Sequence, residues 1–148
     1  MKALPAAMVV AALATLTAAP AAAAAPAATG RVSIGNHTTH FVLEGRNVEF
    51  TCPTNQVMTA RWHTGDENGL TGYHCSSVYV DGQEVQVSMG GWDQGMKESD
   101  SKFIAPMNQV IVGRWHKGDE NGLTRYRTAA LYWQGKLMRI TSPELVPL

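Results

Sequence analysis

The side chains of this chain that are best suited to bind a ligand are concentrated in two nearly identical segments. Residues 61–71 read RWHTGDENGLT and residues 114–124 read RWHKGDENGLT, at a constant offset of 53. Each segment combines carboxylate, amide, guanidinium and imidazole groups with a tryptophan, a mixture that can hydrogen-bond sugar hydroxyls and stack on the apolar face of a sugar ring. We therefore expect two equivalent binding loops. The candidate binding residues are Arg61, Trp62, His63, Asp66, Glu67, Asn68, Tyr73, Arg114, Trp115, His116, Asp119, Glu120, Asn121 and Tyr126.

The two segments belong to a longer internal duplication. Residues 53–87 align onto residues 106–140 without a gap, and 17 of the 35 pairs are identical by direct count. Self-similarity at a fixed offset indicates a duplicated structural module. Charge differs freely at neighbouring positions, where Thr64 opposes Lys117 and Gly72 opposes Arg125. The acidic and imidazole side chains of the loops are the same in both copies, which favours a contact with a ligand.

Each loop residue has an expected role, and a structural alternative stays open. In the binding hypothesis the Asp and Asn side chains exchange hydrogen bonds with ligand hydroxyls, Arg and His fix the carboxylates, and Trp or Tyr stacks. In the structural alternative, Gly65, Asn68 and Gly69 persist because a tight turn requires them. Arg61 then pairs with Asp66 or its acidic neighbour only to stiffen the hairpin.

Metal binding and catalysis are both disfavoured by the residue pattern. Residues 66–68 supply oxygen ligands but lack the alternate spacing of a calcium-binding loop. His63 and Asp66 together give only two ligands for zinc. No nucleophile recurs, because Ser76 and Ser77 are replaced by alanines in the second copy. We expect no metal, no cofactor and no enzymatic activity.

The N-terminal 28 residues are typical of a secretory signal peptide with an alanine-rich leader. Lys2 supplies a positive charge, residues 6–16 form an apolar run, and residues 18–28 are nearly all alanine with Ala-x-Ala sites. The apolar run is too short to span a bilayer, so no membrane insertion is expected. The sequence predicts a secreted or periplasmic protein with a single domain over residues 29–148.

The charge balance of the mature chain favours uncharged partners. Removing Lys2 from the 12 basic residues leaves 11, against 12 acidic residues. A near-neutral chain has no electrostatic surface for nucleic acid or anionic lipid. The expected partner is a carbohydrate or cell-surface glycan, or an extracellular protein.

The two cysteines, Cys52 and Cys75, are predicted to form a disulfide. An even number of cysteines in an exported protein usually pairs. Ala105 and Thr128 occupy the matching positions of the second copy, so both partners are absent together. The second copy must keep its shape without the bond, so the disulfide is expected to add stability rather than define the fold.

The hydrophobic pattern predicts an all-β fold. Alternation over residues 56–63 places Met58, Ala60 and Trp62 on one face of a strand and Arg61 on the other. Asn68-Gly69 predicts a positive φ in the hairpin that follows. Each repeat, over residues 46–87 and 99–140, is expected to form a three-stranded meander with one strand before it.

Two tandem meander modules can bury their apolar faces against each other. We therefore predict a sandwich or a flattened barrel with pseudo-two-fold symmetry. Residues 31–34 and 40–43 are expected to be short strands around a Gly35-Asn36 turn. Residues 88–100 are expected to link the copies, with Trp92 exposed.

The segment CPTNQVMTARWHTGDENGLTGYHC (Cys52–Cys75) resembles the repeated loops of dermatopontin-like proteins. The shared features are a Cys-Pro start, a short apolar strand, a histidine, an acidic turn, and an aromatic residue before a second cysteine. The matching positions are Cys52, Pro53, Val57, Met58, His63, Asp66, Glu67, Tyr73 and Cys75. The turn differs, because that family usually carries Glu-Asp-Arg and an aromatic there. The resemblance implies an extracellular all-β domain, in a family whose members include adhesion proteins and invertebrate lectins.

The leading expectation is an exported, non-enzymatic, lectin-like protein that binds glycans through the two GDENG loops. The alternative is a secreted protein–protein module, such as a hydrolase inhibitor or an envelope adhesion protein, that uses Trp92 and Trp115 as anchors.

Overall fold

The computed structural model describes residues 30–45, 47–66, 68–100, 102–119 and 121–140. Ten β-strands contain most of these residues, and the only helical element among them is a single 3-10 turn at Glu98–Asp100. The strands are β1 Val32–Leu43, β2 Val48–Thr51, β3 Gln56–Thr64, β4 Leu70–Val80, β5 Gln83–Glu84, β6 Gln86–Trp92, β7 Met96–Lys97, β8 Gln109–Lys117, β9 Leu123–Trp133 and β10 Lys136–Leu137. The expected signal and leader, residues 1–28, lie outside the described residues. Within the described ranges, no helix is long and apolar enough to cross a membrane.

The strands form two antiparallel sheets, which confirms the predicted all-β class. In the first sheet β4 lies between β1 and β3, and β5 pairs with the end of β4. In the second sheet β9 has β8 and β10 on one side and β6 and β7 on the other. The short strand β2 extends this sheet beyond β8. The sheets are not closed into a barrel, so the arrangement is a sandwich.

Two segments form secondary structure that differs from the prediction. Residues 31–43 do not make two short strands around a turn. They form the single strand β1, and Asn36, with φ 48°, lies in a bulge between Gly35 and Thr38. Residues 88–100 do not simply link the copies, because β6 and β7 pair with β9. The second sheet thereby acquires a counterpart of β1.

The short strand before the first copy also pairs unexpectedly. The prediction assigned residues 47–51 to the first meander, but β2 pairs with β8 of the second copy, where Glu49 lies opposite Trp115 and Thr51 opposite Gly113. The chain therefore crosses from one sheet to the other twice before β3 begins. The two sheets are interleaved in sequence, and each contains a strand from outside its own copy.

The hydrophobic core lies between the two sheets, distant from the hairpin tips. It combines valines of β3 and β4 with apolar side chains of β8 and β9. Its buried members are Val57, Val78, Val80, Val112, Ala129 and Leu131, together with Val85 between β5 and β6. Burial of this apolar surface supplies the main force that holds the sheets together.

Matching bulges in β3 and β8 alter the predicted alternation. The register shifts between Met58 and Ala60 in β3, and between Ile111 and Gly113 in β8. Met58 pairs with Cys75, whereas Ala60 pairs with the adjacent His74. Consecutive residues of β4 face opposite sides, so Met58 is not on the face of Ala60 and Trp62, and that part of the prediction was wrong.

The positive φ angles of the two hairpin tips occur at other residues than predicted. Positive φ angles occur at Gly65 (94°) and Gly118 (105°), not at Gly69 or Gly122. Gly69 is needed for a different reason. A Cβ atom there would collide with the carbonyl oxygen of Thr64. A close approach of two backbone segments, rather than a left-handed conformation, explains this glycine.

The predicted Cys52–Cys75 disulfide is confirmed. Cys52 follows β2 of the second sheet, and its N–H donates to the Val112 carbonyl at 2.8 Å. Cys75 lies in β4 of the first sheet and is fully buried. The bond therefore ties one sheet to the other.

Candidate functional site

The tips of the β3–β4 and β8–β9 hairpins have the same local structure. Asp66 Oδ1 accepts a hydrogen bond from the backbone N–H of Asn68 at 3.2 Å, and Asp119 Oδ1 accepts one from Asn121 at 3.0 Å. Each aspartate thus stabilises its own turn, which explains part of the identity between the copies. All four residues are exposed, so the carboxylates stay accessible to a ligand.

Both tips border the same cleft, whose volume is about 440 Å³. Its lining comes from both copies and from the residues that precede each copy. The lining residues are Glu44, Arg61, His63, Asp66, Glu98, His116, Gly118 and Asp119. The two loops are therefore neighbours on one shared surface. The two remaining acidic candidates, Glu67 and Glu120, lie outside the described residues.

Glu44, immediately after β1, is a buried carboxylate in the wall of this cleft. Only 6% of the residue is exposed. Arg61 Nη2 donates to Oε1 at 3.2 Å, and Arg114 Nη1 donates to the same oxygen. Thr71 Oγ1 donates to Oε2 at 2.8 Å, and His63 Nδ1 lies 2.8 Å from Oε2. Arginines from both copies thus converge on one carboxylate.

Glu98 has the corresponding place beside the second hairpin. Arg114 Nη2 donates to its Oε1, and His116 Nε2 lies 3.1 Å from its Oε2. Arg61 Nη2 lies 3.8 Å from Glu98 Oε1. The Arg114 side chain, only 2% exposed, therefore connects the two carboxylates. Arg61 pairs with Glu44 and Glu98 rather than with Asp66, and the other predicted partner, Glu67, lies outside the described residues.

The two glutamates are structural equivalents that sequence reasoning missed. The N–H of Glu44 donates to the Gly69 carbonyl at 2.9 Å, and the N–H of Glu98 donates to the Gly122 carbonyl at 3.0 Å. Gly69 and Gly122 are 53 residues apart, but the glutamates are 54 apart. One extra residue before the second copy hides the equivalence from a gapless alignment. At offset 54, residues 36–51 and 90–105 share only this glutamate, so the sequence carries no signal that identifies the pair.

The repeated histidines anchor the hairpin tips to the strands. His63 Nε2 lies 2.9 Å from the carbonyl oxygen of Asp66, and His63 Nδ1 lies 2.8 Å from Thr71 Oγ1. His116 repeats this, with Nε2 2.8 Å from a carbonyl oxygen of its own tip and Nδ1 2.9 Å from Thr124 Oγ1. A carbonyl oxygen can only accept, so Nε2 donates in both cases. Each imidazole holds its tip in place at the edge of the cleft.

The charge network lowers the pKa of Glu44. Burial disfavours its ionised form, but the hydrogen bond from Thr71 and the charges of Arg114 and Arg61 outweigh burial. The pKa falls from 4.5 to about 2. Burial likewise disfavours the charged form of Arg114, but its interactions with Tyr73 and Glu44 prevail and raise its pKa. The cleft wall is therefore a fixed ion pair at neutral pH.

The aromatic candidates of the first copy do not line the cleft. Tyr73 is 1% exposed and stacks on Phe50 with ring centroids 4.2 Å apart. No open ring face remains there for a ligand. Trp62 alternates with Arg61 and His63 along β3, so its indole lies on the opposite face of the sheet.

The aromatic candidates of the second copy are also engaged elsewhere. The guanidinium of Arg125 lies over the Trp115 ring, 5.8 Å from its centroid. Tyr126 stacks on Phe103 with centroids 4.6 Å apart. The structure therefore brings Arg61 and the His and Asp candidates of both copies to one cleft. Arg114 lies buried behind the lining, and Asn68, Asn121 and the four aromatic candidates are not part of it.

The described side chains contain no group of three or more His, Cys, Asp or Glu residues arranged to hold a metal ion. The cleft instead presents hydrogen-bonding groups. It offers two exposed carboxylates at its rim and a wall of paired guanidinium and carboxylate groups.

Comparisons with known proteins give no relative. No family model, no curated protein and no solved structure matches the chain. The resemblance to dermatopontin-like proteins therefore stays a prediction, and the case for a function depends on the site itself.

Proposed function

We propose that the protein is an exported, non-enzymatic carbohydrate-binding protein whose ligand occupies the cleft between the two GDENG hairpin tips. The observation that carries the proposal is that Asp66 and Asp119 are exposed and border the same cleft. One ligand can contact both tips, so the duplication supplies two halves of a single site rather than two separate sites.

The size and lining of the cleft favour a small polar ligand. A volume of about 440 Å³ lies within the range of about 300–1,000 Å³ that is typical of small-molecule sites. Carboxylates accept hydrogen bonds from vicinal hydroxyls, and guanidinium groups donate them. A sugar carries many hydroxyls on a compact ring, which matches such a lining better than an apolar ligand does.

The internal charge balance disfavours an anionic ligand. Arg61 and Arg114 neutralise Glu44 and Glu98 within the wall. No uncompensated cation remains among the described lining residues to attract a phosphate or sulfate group. The wall is also rigid, because each charged group has several partners. Preorganised groups bind with less loss of conformational entropy.

The same network argues against acid–base catalysis. A general acid or base works best with a pKa near the working pH. The pKa of Glu44 is lowered to about 2 by its hydrogen bonds and ion pairs. It is therefore a poor proton donor or acceptor at neutral pH, and binding fits this wall better than chemistry.

The protein–protein alternative has weaker support than it had from the sequence. Its proposed anchors, Trp92 and Trp115, are half-buried, and the guanidinium groups of Arg127 and Arg125 lie over their rings. Anchor residues at interfaces insert exposed aromatic surface into a partner. Neither tryptophan offers such a surface without displacing an arginine.

Export is part of the proposal for two reasons. The first 28 residues have the composition of a cleavable signal, and the Cys52–Cys75 disulfide suits an oxidising compartment. Secretion and retention in a periplasm both agree with these features.

A glycan array, followed by calorimetric titration of the best ligand, tests the cleft. The informative variant is Asp66→Asn with Asp119→Asn, because an amide oxygen can still accept the turn hydrogen bond. Hydrogen bonds to charged groups contribute about 1.5–3 kcal/mol. We expect the double variant to lose about tenfold or more in affinity with a melting temperature within a few degrees.

Asp81→Asn is the matched control, because Asp81 is an exposed turn aspartate outside the cleft. It should leave affinity unchanged. Failure of the wild-type protein to bind any neutral glycan would contradict the proposal, as would unchanged affinity in the double variant. Capture of a specific protein from culture supernatant with no glycan binding would favour the alternative.

A further inference from the structure

At the hairpin end of the first sheet, the face opposite the cleft carries exposed apolar side chains. We call Phe41, Leu43, Trp62, Leu70 and His74 the aromatic face. Phe41 is 60% exposed, Leu43 71% and Leu70 39%. The residues lie on β1, β4 and β3, so the face spans three adjacent strands.

The centre of this face is a tryptophan that lies flat on the sheet. Phe41 and Trp62 both pair with Gly72, from opposite sides of β4. The Trp62 ring covers Gly72 so closely that a Cβ atom there would collide with the indole. Phe41 meets the indole edge-on at 5.9 Å, and His74 meets it at 4.7 Å. The glycine thus lets an indole ring lie along the sheet with aromatic neighbours on two sides.

The second copy differs from this arrangement at two corresponding positions. Arg125 replaces Gly72 and lies over Trp115, while Arg127 replaces His74 and lies over Trp92. A guanidinium thus lies over each of these two tryptophan rings, whereas no cation of the described residues lies over the Trp62 ring. The two copies therefore differ beside the tryptophan of each hairpin, where the first copy has a glycine and a histidine and the second has two arginines.

We propose that the aromatic face is a second carbohydrate-binding surface that takes the apolar ring faces of a neutral polysaccharide. Aromatic rings stack on the C–H face of sugars, and Phe41, Leu43, Trp62 and Leu70 carry no charge. Trp62 alternates with Arg61 along β3, so this surface and the cleft lie on opposite faces of one strand. The inference does not depend on the cleft being a binding site.

The size of the face argues against a second copy or a protein partner. Its exposed apolar area is roughly 400 Å², taking about 150–250 Å² for each large side chain. A stable dimer buries about 800 Å² on each partner. A short stretch of sugar chain needs less area and can contact both Phe41 and Trp62.

Affinity electrophoresis of the full chain tests this surface, with hydroxyethylcellulose, galactomannan and dextran in native gels. We expect at least one of these polymers to retard the wild-type protein. Phe41→Ala and Trp62→Ala should each weaken the retardation constant by about fivefold or more. Leu137→Ala, which truncates an exposed leucine of β10, should have no effect. Phe41 is mostly exposed, so its variant tests the face even if loss of Trp62 impairs folding.

The outcomes separate this inference from the cleft proposal. One outcome would overturn the aromatic face and support the cleft. In it, the double variant Asp66→Asn with Asp119→Asn loses retardation by the polymer, whereas Phe41→Ala keeps it. Absence of retardation by all three polymers would also overturn the aromatic face. So would a dimeric wild-type protein in analytical ultracentrifugation that becomes monomeric in Phe41→Ala, because the occupant would then be a second copy.

Discussion

Arg114 of the second copy binds Glu44, which precedes the first copy, inside the wall of the shared cleft. Both side chains are almost fully buried, and Arg114 also donates to Glu98. A charge taken out of water is stable only when its partners stay in place. The fold is therefore stable only when the two hairpins keep the relative position that holds this pair together.

Removal of the Arg114 guanidinium should be strongly destabilising. Arg114→Ala leaves the buried carboxylate of Glu44 without its closest partner, and breaking a buried pair typically costs about 3–5 kcal/mol. Arg61→Ala is the matched control from the first copy, because the Arg61 side chain is 30% exposed. A partly solvated pair contributes about 0–1 kcal/mol. Urea unfolding measures the free energy of unfolding of both variants. Equal losses of stability would contradict the expectation that Arg114 contributes more than Arg61.

Acid should destabilise the protein through Glu44. Its pKa is about 2 in the folded protein and 4.5 in the reference state. Ionised Glu44 therefore contributes stability that is complete above about pH 4.5 and is lost as the pH falls to 2. A difference of this size corresponds to about 3 kcal/mol.

The variant Glu44→Gln isolates that contribution. Between pH 5 and pH 2 the wild-type free energy of unfolding should fall by about 3 kcal/mol more than that of Glu44→Gln. The comparison uses the change in the free energy of unfolding with pH rather than its value at one pH, because the substitution also changes stability at neutral pH. Parallel curves for the two proteins would show that Glu44 does not carry the effect.

Much of the fold was predictable because its signals are local. Alternating residues indicated the β3–β4 and β8–β9 hairpins, and the paired loss of Cys52 and Cys75 in the second copy indicated their bond. Strand partners were not predictable in the same way. An extended segment such as β2 can pair with either copy, and only the packing of the whole domain selects β8. The bulges in β3 and β8 shift the register of the strand pairing, but the residue types along these strands do not mark where the shift occurs. The bulges were therefore not predictable from the alternation.

The candidate site was predicted in part. The repeated Arg, His and Asp side chains do meet in one place, because equivalent hairpins come side by side. Arg61 was expected to pair with Asp66 or Glu67; it does not pair with Asp66, and Glu67 lies outside the described residues. Arg61 bonds to Glu44, which lies 17 residues before it and outside the aligned repeat. The aromatic side chains were assigned to the loops from proximity in sequence, whereas alternation along a strand sends Trp62 to the opposite face.

Substitution of the tip glycine should distort the cleft. In Gly69→Ala the new methyl group would meet the carbonyl oxygens of Thr64 and Asp66. Such overpacking typically costs about 1–3 kcal/mol. Gly45→Ala is the control, because no described atom outside its chain neighbours lies within 4 Å of the added methyl group. Thermal unfolding should show a lower midpoint for the first variant only, and similar midpoints would show that the tip relaxes.

Loss of the disulfide should weaken the attachment between the sheets without unfolding the protein. The Cys52–Cys75 bond closes a loop with a sequence separation of 23. Such a loop contributes about 3 kcal/mol in the chain-entropy model. Cys52→Ala with Cys75→Ala should lose this amount in urea unfolding and keep a β-sheet circular dichroism spectrum, because the second copy forms the equivalent hairpin with Thr128 in place of Cys75. Reductant should destabilise the wild-type protein by a similar amount and leave the double variant unchanged. A double variant that is unfolded in buffer would instead show that the bond defines the fold.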